Sequence, residues 1–408
     1  MTTTSLPLIS FQRALLFAVL LIPVTLSAQD KPYGSVVLEV LPRTLSKDRS
    51  ATLIDVRSAG EFQDTSMYHA YNMGRLKGAV HVDGRELPQR MGELRQRCRG
   101  PIYVYSSHAE RSRKACSIIA DSLPNPVVHV DGGLVRFWNG SVRLNDLKAM
   151  VVTDLPYELI GGPDLCQLVD DKGVLFVDVR PGVIFERGGT ELIRAGGAPV
   201  NRIHIPVEAL TMRMGELPKD GKLVLYDQDG GLAAAAALLL TGSGHTDVSV
   251  LFEGLDGLLQ QPHERFPCQG KDWSSTTPYR LVAAEDLDTA EVRMGPVMII
   301  DIRSNEAYLG TSPETWRNIG TLRGSFHMPA DRLKQDLPAL ELFVHDPIMV
   351  MDHGHDGNAF EAARTLVDMG HTDVRILTGG LSGLQWHVRN TPGMAHWERW
   401  MLPAPGEE

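Results

Sequence analysis

The hydrophobic residues of this chain form short continuous runs that recur at a spacing near 123 residues. Three of these runs end in Asp-Val-Arg or Asp-Ile-Arg, at residues 51–57, 174–180 and 297–303. Runs that are apolar throughout, without alternation, are typical of strands buried on both faces of a parallel sheet. A second apolar run follows in each copy, at residues 102–106, 223–227 and 348–352. The pattern therefore predicts two neighbouring buried strands per copy.

A helical pattern follows each second run, after a short polar or glycine-rich turn. The predicted helices cover residues 111–123, 233–242 and 360–370, and the last two end at glycine, a common helix stop. A third short apolar run then occurs at residues 127–130, 248–252 and 374–377. Strands that alternate with helices predict a mostly parallel α/β sheet flanked by helices.

Two further motifs repeat in the same order. Met91-Gly92-Glu93-Leu94 recurs at residues 214–217, and a glycine-containing turn occurs at residues 132–134, 253–255 and 379–381. A repeat of this length has the size of a domain. We therefore predict three tandem domains over residues 32–141, 156–260 and 278–393, joined by linkers at residues 142–155 and 260–277. They are called domains 1, 2 and 3 below.

The N-terminus departs from this pattern. Arg13 precedes an apolar stretch at residues 14–28 that ends in small residues, as secretory signal peptides do. The stretch is shorter than the roughly 20 residues that span a bilayer, although an uncleaved anchor is the alternative. We predict cleavage near Ala28, export to the periplasm or the medium, and no stable membrane insertion afterwards.

Charge and cysteine content narrow the function classes. The 408 residues carry a formal net charge of −10 and no Lys/Arg block, which argues against a nucleic-acid partner. The four cysteines would lie in an oxidising compartment after export. One or two disulfides are possible, and the sequence leaves their pairing open.

The joint pattern resembles the rhodanese-like domain, three times over. The resemblance rests on the Asp-Val-Arg strand, the loop after the second strand, an Arg-Ser pair opening the helix in the first copy and the closing Gly-Gly-Leu turn. It implies sulfur transfer through a cysteine at the last residue of the second strand, just before the loop, with an arginine five positions later. Such a cysteine would carry the sulfur as a persulfide, because thiolates form and break S–S bonds readily.

Carried over to this chain, the resemblance places no cysteine at the nucleophile position. Domain 1 has Ser106 there and retains Arg111 at the arginine position, whereas domain 2 has Asp227 and domain 3 has Asp352. A serine hydroxyl cannot hold a persulfide. A carboxylate would repel thiosulfate-like anions, and we expect Asp227 and Asp352 to accept the N–H bonds of their own loops.

Domain 1 retains features of an anion site. Its loop has Arg111, no carboxylate at its centre, and hydroxyl donors at Ser106 and Ser107, with His108 beside them. We therefore predict that Ser106, Ser107, His108 and Arg111 bind a small anion or an acidic group of a partner protein, whose identity the sequence does not give. A purely structural arginine is the alternative, and no cofactor is predicted.

Three other chemistries are weighed and not adopted. Ser106 and His108 could form a nucleophile pair, but a histidine two residues along a tight loop is poorly placed to take the proton. Asp352, His353, His355 and Asp356 include metal-ligand residue types, but four ligands within five residues cannot easily converge, so no metal site is predicted. Sulfur transfer through a displaced cysteine (Cys98, Cys116, Cys166 or Cys268) remains the alternative function.

Two further features of the sequence have structural explanations. Asp55, Asp178 and Asp301 recur at one position, and buried pairing that fixes the loop above the strand explains them better than catalysis. The aromatic residues Phe137, Trp138 and Trp386 are expected to pack on the closing helices. The sequence thus predicts a tandem rhodanese-like protein that binds a ligand or partner without transferring sulfur.

Overall fold

The computed structural model describes residues 32–140, 145–268, 273, 275, 277–288, 297–354 and 357–404. The predicted signal peptide at residues 1–28 lies outside the described residues. Short 3-10 segments occur at Leu38–Val40, His69–Tyr71, Val207–Ala209, Met214–Glu216, His263–Arg265, Ala284–Asp288, Thr315–Arg317, Leu337–Leu340 and Met394–Trp400.

Within the described residues, domain 1 and the linker after it contain seven strands and six α-helices. The strands are β1 (Gly34–Val37), β2 (Thr52–Asp55), β3 (Arg75–Leu76), β4 (Val80–His81), β5 (Ile102–Tyr105), β6 (Val127–Asp131) and β7 (Val151–Val152). The helices are α1 (Leu41–Lys47), α2 (Ala59–Phe62), α3 (Leu87–Arg97), α4 (Glu110–Ser122), α5 (Val135–Trp138) and α6 (Asn145–Lys148). Five of the strands form a parallel sheet in the order β1-β6-β5-β2-β4.

Domain 2 is built in the same way. Its strands are β8 (Glu158–Ile160), β9 (Val174–Asp178), β10 (Arg202–His204), β11 (Lys222–Tyr226) and β12 (Val248–Leu251). Its helices are α7 (Gly162–Leu168), α8 (Gly182–Glu186), α9 (Glu191–Gly196), α10 (Leu210–Arg213), α11 (Gly231–Gly242) and α12 (Gly254–Leu259). The parallel sheet has the order β8-β12-β11-β9-β10.

Domain 3 repeats the arrangement once more. Its strands are β13 (Arg280–Val282), β14 (Met298–Asp301), β15 (Thr321–Leu322), β16 (Phe326–His327), β17 (Ile348–Met351), β18 (Val374–Leu377) and β19 (Met401–Leu402). Its described helices are α13 (Asn305–Leu309), α14 (Leu333–Asp336), α15 (Asn358–Asp368) and α16 (Gly380–Asn390). The parallel sheet runs β13-β18-β17-β14-β16.

All three sheets therefore have the same strand order, which confirms the predicted fold class. The predicted buried strands correspond to β2, β9 and β14 and to β5, β11 and β17, and the predicted helices to α4, α11 and α15. The predicted domain limits at residues 141, 156, 260, 278 and 393 stay predictions, because strand pairing does not define them.

The segment after each domain folds back onto that domain. In the first linker, β7 pairs antiparallel with β3, and after domain 3 β19 pairs antiparallel with β15. Pro199 and Trp273 form an isolated bridge in the corresponding place of domain 2. The segment that follows each domain therefore pairs with the backbone of that domain and does more than connect it to the next part of the chain.

The three domains pack against one another through domain 2. One face of its sheet, which includes Phe176 and Tyr226, shares a core with domain 3 residues such as Ile300. The opposite face, which includes Val177, shares a core with domain 1 residues such as Tyr103. Neighbouring residues of a strand point to opposite faces, so the continuous apolar run of β9 supplies both cores.

Each Asp-Val-Arg or Asp-Ile-Arg motif forms a buried ion pair. Arg57 Nη2 lies 2.8 Å from Asp55 Oδ2 and donates to the carbonyl of Gly74 at 2.6 Å. The equivalent ion pairs are Asp178–Arg180 at 2.5 Å and Asp301–Arg303 at 2.6 Å. The carboxylates are fully buried, which confirms the predicted structural role.

No helix among the described residues is long and apolar enough to cross a membrane.

A disulfide joins domain 2 to the segment that leads into domain 3. Cys166 in α7 is bonded to Cys268, 102 residues later, with a Cα–Cα distance of 5.4 Å. The sequence left the pairing of the four cysteines open, because it does not show that α7 and the end of domain 2 are neighbours.

We expect the double variant Cys166→Ser/Cys268→Ser to lose about 2–4 kcal/mol of unfolding free energy, because the bridge closes a long loop in the unfolded chain. Urea unfolding of the oxidised protein and of the variant measures the difference. Dithiothreitol should destabilise the wild type and leave the double variant unchanged. Equal stability of both proteins under oxidising conditions would contradict the expectation.

Candidate functional site

Three loops occupy the same position at the carboxyl ends of the central strands β5, β11 and β17. In open parallel α/β sheets, ligands bind at this edge, beside the N-termini of the following helices. The loops begin at Ser106, Asp227 and Asp352, and each leads into a helix of its own domain. The three loops differ in which group, if any, accepts hydrogen bonds from their backbone N–H groups.

In domain 2 the loop is closed by its own carboxylate. Asp227 is buried and accepts hydrogen bonds from the amides of Gly230 at 2.7 Å and Leu232 at 2.8 Å, which confirms the expected contacts. Burial raises the pKa of Asp227 to about 7, although these amides work against it. At neutral pH Asp227 therefore does not carry a full negative charge. An incoming anion is excluded mainly because the Asp227 carboxyl group already occupies the amides of Gly230 and Leu232.

The loop of domain 3 is described only in part. Asp352 is buried, and its Oδ1 accepts a hydrogen bond of 2.6 Å from the amide of His353. The ring Nε2 of His353 lies 3.2 Å from the carbonyl of Trp316. His355 and Asp356 lie outside the described residues, and within the described ones no group of three or more His, Cys, Asp or Glu side chains could hold a metal ion.

In domain 1 the serine hydroxyl at the loop's first position points inward. Ser106 is 1% exposed, and its Oγ donates to the carbonyl of His108 at 2.6 Å and lies 3.2 Å from Ser112 Oγ. The Ser106 hydroxyl thus bonds the backbone carbonyl of His108 and not its imidazole ring. This geometry does not favour a Ser106–His108 nucleophile pair.

The other predicted residues of domain 1 form a hydrogen-bonded chain. Arg111 donates to Ser107 Oγ at 2.8 Å, and Ser107 Oγ lies 3.1 Å from His108 Nδ1. The same guanidinium also binds both carboxylate oxygens of Glu61, each at 2.7 Å. The structure therefore brings Ser107, His108 and Arg111 together. Ser106 is buried and is not part of this hydrogen-bonded chain.

Glu61 is the site residue that the sequence analysis missed. Its carboxylate also accepts hydrogen bonds from the amide and hydroxyl of Ser58, which completes a capping box at the start of α2. Burial works to raise the pKa of Glu61, but the bonds from Arg111 and Ser58 outweigh it and hold the pKa at about 2. A serine followed by glutamate three residues later was a visible signal for the cap, but not for the contact with Arg111.

His108 faces away from Glu61 towards the other two domains. Its Nε2 lies 3.9 Å from Glu253 Oε1 of domain 2, and its ring contacts Trp386 of domain 3 edge-on, with centroids 5.7 Å apart. Burial lowers the pKa of His108, and the charge of Arg111 lowers it further, so the imidazole is neutral at pH 7. Trp386 is 42% exposed and lines a cavity, whereas Phe137 and Trp138 pack against a buried core as expected.

None of the four cysteines lies in a strand-end loop. Cys98 ends α3 and Cys116 lies within α4, and both are buried free thiols. Burial raises the pKa of Cys98, and it raises the pKa of Cys116 to about 12. A thiol of that kind is hardly ionised at neutral pH and is a poor nucleophile.

The Glu61–Arg111 pair should make stability depend on acid pH. Because the folded-state pKa of Glu61 is depressed, its contribution is complete above pH 4.5 and is lost as the pH falls towards 2. We expect Glu61→Gln to lose about 2–3 kcal/mol of unfolding free energy at pH 7 and progressively less below pH 4.5. Urea unfolding at pH 7, 4 and 3 measures this.

The control for that series is Glu93→Gln, which removes an exposed partner of Arg90. An exposed pair of this kind contributes little, so the control should follow the wild type at each pH. A loss in Glu61→Gln that stays the same at pH 7 and pH 3 would contradict the assignment.

Comparison with known proteins identifies the repeated unit. A model of the rhodanese-like domain family matches residues 39–139 and 283–386, which together make up half of the chain. These segments lie in domains 1 and 3. Domain 2 has the same strand order as these two domains.

Individual relatives are more distant. An uncharacterised protein of Bacillus subtilis (strain 168), YqhL, is 28% identical over 95 residues, which cover 23% of this chain and 66% of YqhL. A thiosulfate sulfurtransferase structure from Pseudomonas aeruginosa is 18% identical with a TM-score of 0.23, over 86% of this chain and 65% of that one. A rhodanese-related protein of Thermoplasma volcanium is 25% identical with a TM-score of 0.21, over 25% of this chain and 91% of that one.

This chain thus spans slightly less than two thirds of the length of the first relatives in each comparison. The TM-scores are low, so the assignment rests on the family model together with the repeated sheet. On that basis, this protein belongs to the rhodanese-like domain family.

Proposed function

We propose that this chain is an exported rhodanese-like protein that does not transfer sulfur and instead binds a small anion, or an acidic group of a partner, at the loop of domain 1. The observation that carries the proposal is the location of the thiols. The strand ends bear Ser106, Asp227 and Asp352, where the family resemblance calls for cysteine.

The remaining thiols do not offer a replacement. Cys166 and Cys268 are joined in a disulfide, and Cys98 and Cys116 are 4% and 0% exposed. Sulfur transfer needs a thiolate that can attack a sulfur donor and then meet an acceptor. A buried, protonated thiol meets neither requirement.

Domain 2 indicates which ligand such a loop accepts. There a carboxylate, Asp227, is held by the amides of Gly230 and Leu232. The corresponding amides of domain 1 belong to Ala109 and Arg111, and the residue at the aspartate position, Ser106, turns its single oxygen to a carbonyl. An external oxyanion could take the position that Asp227 occupies in domain 2.

Arg111 adds charge to this position, but Glu61 competes for it. The arginine side chain is 45% exposed, so part of it can reach a ligand. Its positive charge is nevertheless offset by the Glu61 carboxylate, to which the guanidinium donates two hydrogen bonds. We therefore expect weak binding of a small anion, and tighter binding when Glu61 is neutral.

The apolar stretch at residues 14–28 supports the export part of the proposal. The disulfide between Cys166 and Cys268 fits an oxidising compartment, where such bonds persist.

The purified mature protein should produce no thiocyanate from thiosulfate and cyanide above the rate without enzyme, because no accessible thiolate is present to carry sulfur. Colorimetric detection of thiocyanate measures this. Cys98→Ser and Cys116→Ser should give the same background as the wild type. Turnover that disappears in either variant would establish the alternative function, a sulfurtransferase that uses a non-standard cysteine.

Anion binding is tested by calorimetric titration with phosphate. We expect Glu61→Gln to raise phosphate affinity about tenfold, the effect of roughly 1.4 kcal/mol, because the guanidinium is freed while glutamine still caps α2. Arg111→Ala should abolish binding, and Arg90→Ala, which removes an arginine from an exposed pair on α3, should not change it. No phosphate binding by Glu61→Gln would rule out the anion site.

A further inference from the structure

A cavity of about 620 Å³ lies at the junction of the three domains. Domain 1 contributes Tyr68, Tyr71 and His108 to its lining, domain 2 contributes Asp229, Glu253 and Asp256, and domain 3 contributes Trp386 and His387. Cavities of this size at domain junctions commonly bind small molecules.

The ionisable side chains of the lining favour a positive charge. Asp229, Glu253 and Asp256 carry carboxylates, and none of the described lining residues is lysine or arginine. The lining also contains the imidazoles of His69, His108 and His387. Burial lowers the pKa of His108 and of His387, so these two do not balance the carboxylates. The carboxylates therefore give the cavity a negative electrostatic potential, which attracts a ligand with one positive charge.

Aromatic rings line the same space. Tyr68, Tyr71 and Trp386 are 75%, 47% and 42% exposed, although side chains of this size are usually covered. The Tyr68 and Tyr71 rings lie 6.1 Å apart. Aromatic faces attract cations and also bind flat apolar groups. The carboxylates and the aromatic rings of the lining therefore both favour a cation with a flat apolar body.

Glu253 stands out because its backbone is unfavourable for glutamate. Its φ is +57°, in the left-handed region, and the corresponding residues of domains 1 and 3 are Gly132 at +81° and Gly379 at +73°. Only domain 2 places a side chain at this point of the repeat. Gly257 provides the space, since a Cβ there would lie 2.3 Å from the Cβ of Glu253.

The side chain of Glu253 has only neutral partners among the described contacts. Its Oε2 accepts a hydrogen bond of 3.1 Å from Asn139 Nδ2, and its Oε1 lies 3.9 Å from His108 Nε2. Burial raises the pKa of Glu253, and the hydrogen bond from Asn139 offsets this only in part. A strained residue with an under-compensated carboxylate in a cavity is what a charged ligand would stabilise.

We propose that the cavity between the three domains binds a small organic cation with an aromatic or other flat apolar body, and that Glu253 is its anionic anchor. The aromatic side chains Tyr68, Tyr71 and Trp386 contact the body of the ligand, and the carboxylate faces its charged group. His108 borders both this cavity and the predicted anion site beside Arg111. The anchor of the cavity, Glu253, belongs to domain 2, and the proposal does not rest on anion binding.

The experiment titrates the mature protein with benzyltrimethylammonium, whose charge does not vary with pH. Tryptophan fluorescence and calorimetry follow the binding. We expect saturable binding of this cation and none of benzoate, which has a similar body and the opposite charge. Glu253→Gln should weaken binding about tenfold, and Trp386→Leu should weaken it as well.

Two variants exclude loss of folding as the cause. Glu253→Gly restores the glycine of the other domains, so it should raise the thermal unfolding midpoint while binding is lost. Glu264→Gln removes an exposed carboxylate of the linker after domain 2, outside the cavity, and should bind like the wild type.

The proposal is overturned if the wild type does not bind benzyltrimethylammonium at millimolar concentration. It is equally overturned if Glu253→Gln and Glu264→Gln bind alike, or if benzoate binds as well as the cation.

Discussion

Each domain depends on a buried pair of opposite charges at the end of the strand beside its central strand. In domain 1 this is Asp55 with Arg57, whose guanidinium also binds the carbonyl of Gly74. Two charges are stable without water only when each satisfies the other, and removing one partner typically costs 3–5 kcal/mol. The pair therefore fixes the chain that leaves the strand and holds the loops around the edge where family members would carry out their chemistry. Its recurrence at Asp178 and Asp301 accompanies one strand order in three domains.

Within this common frame the loop after the central strand has diverged three ways. The Asp227 carboxylate accepts hydrogen bonds from amides of its own loop, and the Asp352 carboxylate accepts one from the amide of the next residue. The Ser106 hydroxyl instead donates to a loop carbonyl. Under the proposed function, the scaffold is retained, while the atoms that line the site differ from those that sulfur transfer through a cysteine would need. The same divergence placed a glutamate at position 253, where its neighbours in the repeat have glycine. Fold and chemistry are thus separable in this chain, as in many families.

Much of the fold was predictable because a two-sided buried strand leaves a continuous apolar run, as in β9 and β11, and because the repeat confirms each element three times. The edge strands β4, β10 and β16 and the paired strands β3 and β7 were not predicted, since two or three residues give no periodicity. Contacts between residues far apart in the sequence were also not predictable. Glu61 and Arg111 are 50 positions apart, and the cavity with Glu253 and Trp386 exists only because three domains pack together. Sequence patterns report local burial, but not which distant polar groups meet.

The central claim is that oxygen occupies the strand ends and that no thiol is accessible. Intact-mass spectrometry of the wild-type protein under non-reducing conditions, after incubation with thiosulfate or polysulfide, tests it most directly. The account predicts an unchanged mass, with the Cys166–Cys268 bond intact and Cys98 and Cys116 unmodified. A mass increase of one sulfur atom, mapped by peptide fragmentation to Cys98 or Cys116, would contradict it.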